Sequence, residues 1–127
     1  MSLNQNEKSI TDIIRLNGTG YVSTTKGGIT NVEVVGLIRK GRWWFMIHRD
    51  LQEPQYLTIS EAHTGCCLKR ETYLEFEDAL YFGLPFIDSR YYHFHTTVYG
   101  ILVKTQRDLF NCNISPQTLA IQTALWL

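Results

Sequence analysis

Two stretches of the chain carry the density of β-branched and aromatic side chains that suits a pleated sheet, and a basic turn joins them. Residues 31–38 read NVEVVGLI and residues 43–48 read WWFMIH; such compositions favour strands over helices. Between them stands Arg39-Lys40-Gly41-Arg42, where Gly41 supplies the backbone freedom of a tight hairpin turn. With Lys40 and Gly41 at the centre of the turn, the predicted register sets Ile38 against Trp43, Gly36 against Phe45 and Val34 against Ile47. On the other face Leu37 meets Trp44, Val35 meets Met46 and Glu33 meets His48. An aromatic ring over a strand glycine covers bare backbone. Both faces are mainly apolar, so the hairpin belongs in the middle of a sheet that is covered on both sides, with both tryptophans enclosed.

The rest of the chain supplies that sheet and its cover. Residues 1–8 are polar and predicted to be flexible. Ser9 and Asp12 resemble a capping box, and Ile10, Ile13, Ile14 and Leu16 follow with Asn17-Gly18 as a stop, which predicts a short helix. Residues 21–25 read as a strand, Lys26-Gly27-Gly28 as a turn, and residues 29–38 as one continuous strand. A polar loop with Pro54 leads to residues 56–61, whose alternation predicts a half-buried strand. His63-Thr64-Gly65 turns the chain into a short strand at residues 66–69. Thr72 and Glu75 frame a capping box for a helix over residues 72–82, with Leu74, Phe76, Ala79 and Leu80 as its apolar positions and Gly83 and Pro85 as its end. Residues 91–103 form a second strongly β-prone stretch, with a bulge or bend at Gly100.

From residue 109 to residue 127 no side chain is charged. Ser115-Pro116 is a strong helix start, and the residues that follow are apolar around the whole wheel. Such a helix must be buried on several sides, within the domain or against another chain. Leu125, Trp126 and Leu127 are therefore the candidate self-association residues. The pattern as a whole predicts a single α+β domain over residues 1–127. It is a mainly antiparallel sheet of five or six strands, with a helix after the fourth or fifth strand and a C-terminal helix packed on it.

Composition narrows the function. Twelve basic and twelve acidic residues cancel, which argues against a protein that coats nucleic acid by bulk charge. Three cysteines, two of them adjacent (Cys66 and Cys67), make a poor disulfide framework, and the polar N-terminal residues carry no signal-like apolar run. The expectation is a cytoplasmic protein without a membrane segment.

Four basic residues are the candidate partner- or anion-binding set: Arg39, Lys40 and Arg42 at the turn, and Arg49 at the far end of the second strand. Arg39 and Arg42 face each other in the predicted register, at a cost of roughly 0.2–1 kcal/mol, and a fork of arginines can grip phosphate or carboxylate bidentately. The plainer reading is that these charges keep an apolar hairpin soluble. His93 and His95 share a strand face and could reach one metal, with His63, His48, Cys66 or Cys67 as a third ligand, but nothing local fixes that third group. Cys66-Cys67 beside His63 resembles a nucleophile and base only in outline, since adjacent strand residues point to opposite faces.

The expectation is thus a small non-enzymatic protein without a cofactor, acting by contact with another protein and forming a homodimer. By analogy of type it is an adaptor or an inhibitor of the kind phage and mobile elements make. A nucleic-acid-binding module using the basic turn is the second reading, and a metal-dependent enzyme built on His93 and His95 is the third.

Overall fold

The computed structural model describes residues 11–23, 29–41, 43–62, 64–68 and 70–89. The described part is α+β. Four strands, β1 (Thr11–Ser23), β2 (Ile29–Lys40), β3 (Trp43–Arg49) and β4 (Leu57–Glu61), form an antiparallel sheet in the order β1-β2-β3-β4. One helix, α1, over residues 76–89, packs on one face. The predicted strand at residues 91–103 and the C-terminal helix lie outside the described residues, as do residues 1–8.

The hairpin stands at the centre of this sheet, but two residues out of the predicted register. Ile38 pairs with Phe45, Leu37 with Met46 and Gly36 with Ile47, so that Lys40 lies opposite Trp43 and Arg39 opposite Trp44. Gly41, at φ 59°, takes the left-handed conformation that the turn requires. A slip of two residues leaves every side chain on its own face, which is why the predicted faces survive the wrong pairing. Arg39 does not oppose Arg42. Both tryptophans are half-buried, not enclosed.

Both ladders of β2 are interrupted at Val35. On the β3 side the pairing steps from Val34↔His48 to Gly36↔Ile47, so Val35 is an extra residue; on the β1 side Leu16 and Asn17 together oppose it. These irregularities are β-bulges, and they exchange the predicted faces of Val34 and Val35. Val34 joins Val22, Val32 and Met46 in one cluster, while Val35 packs with Ile38, Phe45 and Ile47 in the other.

β1 corrects the predicted N-terminal helix. The segment with Ile13, Ile14 and Leu16 is strand, and the Asn17-Gly18 pair that read as a helix stop marks the bulge. A helix of eight residues has little stability of its own, whereas the β-branched pair gains a full ladder against β2. β4 is likewise more enclosed than its alternation suggests, with all five residues buried. Beyond it the predicted strand at residues 66–69 is reduced to an isolated bridge between Ser60 and Cys67.

α1 begins and ends later than predicted. Tyr73 exchanges two backbone hydrogen bonds of 2.7 Å with Leu57, which keeps it extended and prevents Thr72 from capping. The first helical bond instead runs from Ala79 N–H to the Glu75 carbonyl, so Glu75 is the N-cap. The helix then continues through Gly83 and Pro85. A Cβ on Gly83 would lie 2.4 Å from Ile59 Cδ1, so this glycine allows close approach to β4. Pro85 is on the exposed side, where water can meet the carbonyl left without a helical donor. Phe76, Ala79, Leu80, Gly83, Leu84 and Ile87 form the inward stripe. Burial of Phe76 and Ile87 contributes about 1.5–3 kcal/mol each. Phe76 rests on Gly36, whose missing side chain leaves room for the ring.

Candidate interaction site

At the hairpin turn the basic residues are held differently from one another. The Lys40 side chain is buried; its Nζ lies 2.8 Å from Asp88 on α1 and donates to Thr11 Oγ1 at 2.7 Å. It ties the turn to the helix. Arg39 is exposed: its Nε donates to the Gly41 carbonyl at 3.0 Å, its guanidinium lies 4.0 Å from Asp12, and it stands 5.7 Å from the Trp44 ring centroid. Arg42 is outside the described residues. Arg49 is at the opposite end of β3, about 20 Å away at the usual strand rise. Arg39 and Arg49 therefore do not belong to one patch.

Arg49 instead lines a cleft of about 580 Å³ together with Arg15, Leu16, Val35, Glu75 and Glu77. The cleft lies beside the two bulges, where α1 begins. Arg15, opposite Gly36 on β1, lays its guanidinium 4.2 Å from the Phe76 ring centroid and 3.4 Å from Glu77. That ion pair is exposed and worth little in itself.

The outer side of α1 and the residues just before it carry the most exposed large apolar side chains among the described residues. Leu74 is 62% exposed, Tyr81 75% and Phe82 55%. Phe82 stacks on Tyr73 with centroids 6.1 Å apart and meets Tyr81 edge-on at 5.0 Å. Burial and the neighbouring Glu71 push the Tyr73 hydroxyl pKa up. Glu75, Glu77 and Asp78 surround these apolar groups, all exposed.

Of the groups with chemical potential, His48 and Ser60 pair across β3 and β4. His48 Nδ1 is 2.9 Å from the Arg49 carbonyl and must donate to it; Nε2 then accepts from the Ser60 hydroxyl at 2.7 Å. Burial lowers the His48 pKa from its ordinary 6.5. The pair resembles a base and nucleophile, but His48 is 3% and Ser60 2% exposed, so a substrate has no approach to either. It is a satisfied core pair. Glu61 is also buried, its Oε2 accepting from both the N–H and the hydroxyl of Thr64 at 2.7 Å, which shapes the turn at Gly65.

His63, His93 and His95, and Leu125, Trp126 and Leu127, lie outside the described residues. Among the described residues no group of three or more His, Cys, Asp or Glu side chains could hold a metal, and no helix is long and apolar enough to cross a membrane. Cys66 is half-buried and Cys67 exposed, and neither is in a disulfide. No protein-family model, curated protein or solved structure matches the chain.

Sequence reasoning misses both the cleft and the outer face of α1. The cleft follows from bulges, which period-two alternation does not reveal. The outer face was legible: a wheel through Phe76, Ala79, Leu80, Gly83 and Ile87 turns Tyr81 and Phe82 outward. Treating Gly83 and Pro85 as a stop hides that phase.

Proposed function

We propose that this is a small non-enzymatic protein-interaction domain whose docking face is the outer side of α1. The observation that carries this reading is the exposure of the adjoining rings of Tyr81 and Phe82 on a helix whose opposite stripe already fills the core, with exposed Leu74 just before it. Aromatic anchors within a polar surround are the usual make-up of a binding hot spot. Tyr73 steadies Phe82 by stacking, so less side-chain freedom is lost on docking.

The test uses paired baits, the wild-type chain and its Tyr81→Ser/Phe82→Ser variant, with circular dichroism to establish that both are folded. A partner retained by the first and lost by the second supports the reading. If every captured protein binds both baits equally, the reading fails.

Self-association through Leu125, Trp126 and Leu127 is part of the proposal and rests on the uncharged sequence of residues 109–127. Sedimentation of the full chain and of a chain ending before Leu119 measures it; a monomer in both cases removes it. The nucleic-acid reading retains one favourable observation, the exposed Arg39 beside Trp44, a cation and an aromatic ring of the kind that meet phosphate and base. Lys40 supports it less, since its ammonium is engaged with Asp88. Arg39→Ala flattening the salt dependence of binding to single-stranded DNA would favour it.

A further inference from the structure

The cleft beside the bulge borders the docking face, sharing Leu74, Glu75 and Glu77 with its edge, and has its own chemistry. Its volume of about 580 Å³ lies within the range of about 300–1,000 Å³ usual for small-ligand pockets. Leu16 and Val35 give it apolar surface, and its polar surround is balanced: Arg15 and Arg49 are positive, Glu75 and Glu77 negative. Arg49 makes no side-chain hydrogen bond or ion pair among the described residues, whereas Arg15 is oriented by the Phe76 ring and by Glu77. One cation is thus held in place and a second is available.

A site with both signs of charge and no net excess does not favour a simple anion, because a phosphate or a lone carboxylate meets the repulsion of Glu75 and Glu77. It favours a ligand that brings both charges. We propose that the cleft binds a zwitterion of amino-acid or short-peptide size, its carboxylate held by Arg49 and Arg15 and its ammonium by Glu75 and Glu77, with a hydrophobic side chain over Leu16 and Val35. Arginine suits the carboxylate end because its planar fork can donate two parallel hydrogen bonds. The bulges place Leu16, Asn17 and Val35 at the cleft, and bulges are frequent beside active sites because they re-aim side chains.

The test titrates the full-length protein at millimolar concentration with the dipeptide Ala-Phe, its N-acetyl form, its C-amide form and the doubly capped form, followed by amide chemical shifts. Free Ala-Phe is expected to shift residues around Leu16, Val35 and Arg49. Capping either end should weaken binding about tenfold or more, as loss of a charge-assisted hydrogen bond does. In Arg49→Gln the preference for the free acid over the C-amide should shrink, with Arg15 alone left to hold the carboxylate. Free phenylalanine in parallel distinguishes the source: equal affinity points to a free amino acid, weaker binding to a peptide. No shifts with Ala-Phe or phenylalanine overturns the proposal. So does equal binding of the free and capped forms to the wild type, which needs no variant.

Discussion

Gly36→Ala is the substitution that tests how α1 sits on the sheet. A methyl group there would lie 2.4 Å from Phe76 Cε2, 2.9 Å from Phe76 Cζ and 3.1 Å from the Ile14 carbonyl oxygen. Removing a glycine from a strand interior ordinarily stabilises by roughly 0.5–1 kcal/mol. Overpacking a well-filled core costs about 1–3 kcal/mol. The clash should win, because the Phe76 ring is buried and carries Arg15 against it, and because Ile14 O belongs to the β1 backbone. A net loss of about 1–2 kcal/mol is expected from those two magnitudes, read by urea unfolding followed through tryptophan fluorescence. In a Phe76→Leu background the two ring atoms that clash most closely are gone and only Ile14 O remains, so the same substitution should cost markedly less, and the double-mutant cycle should show coupling of about 0.5 kcal/mol or more. If Gly36→Ala is neutral or stabilising in the wild type, or costs the same in both backgrounds, the helix is not seated on Gly36.

Three further outcomes follow from buried polar groups. Asp88→Ala leaves the buried Lys40 ammonium without its carboxylate and should cost about 1–3 kcal/mol, while Lys40→Met in the same position should cost less, since a packed apolar chain replaces the pair; equal losses in urea melts would argue against this. His48, with its pKa lowered by burial, takes up a proton more readily unfolded than folded. Stability should therefore be complete above its ordinary pKa of 6.5 and fall as pH drops from there toward the lowered folded value; His48→Gln should flatten that part of the pH profile, and an unchanged slope would contradict the assignment. Glu61→Ala removes the acceptor for both Thr64 donors and should cost about 1–3 kcal/mol, measured as a lower urea midpoint.

How much of this was legible in the sequence depends on the range of the interaction involved. The hairpin and the long strand before it are evident because local composition and turn chemistry agree there. The register escaped because a shift of two keeps the same faces, so hydrophobic pattern alone cannot choose between Lys40-Gly41 and Gly41-Arg42 as the centre of the turn. The N-terminal segment was misread because Ser9, Asp12 and Asn17-Gly18 imitate helix punctuation, while the ladder that decides the matter comes from β2. The start of α1 was misplaced for the same reason: the bridge from Tyr73 to Leu57 links residues far apart in sequence and overrides a good local cap. Of the candidate site residues, Arg49 is legible as a basic group at the end of the second strand, yet its neighbours across the cleft, Arg15 and Glu77, meet it only through the bulge and the helix. Lys40 was read as part of an open basic turn, and nothing nearby in the sequence announces that Asp88 will bury it.

The proposal that the outer side of α1 is a docking face requires that its aromatic residues be dispensable for folding. The direct measurement is urea unfolding of Tyr81→Ser/Phe82→Ser beside Phe76→Ala. The exposed pair should change stability by no more than about 0.5 kcal/mol per residue, and the inward Phe76 should cost about 3–5 kcal/mol. If the serine pair destabilises the chain as much as Phe76→Ala does, those rings belong to the core and the docking face does not exist.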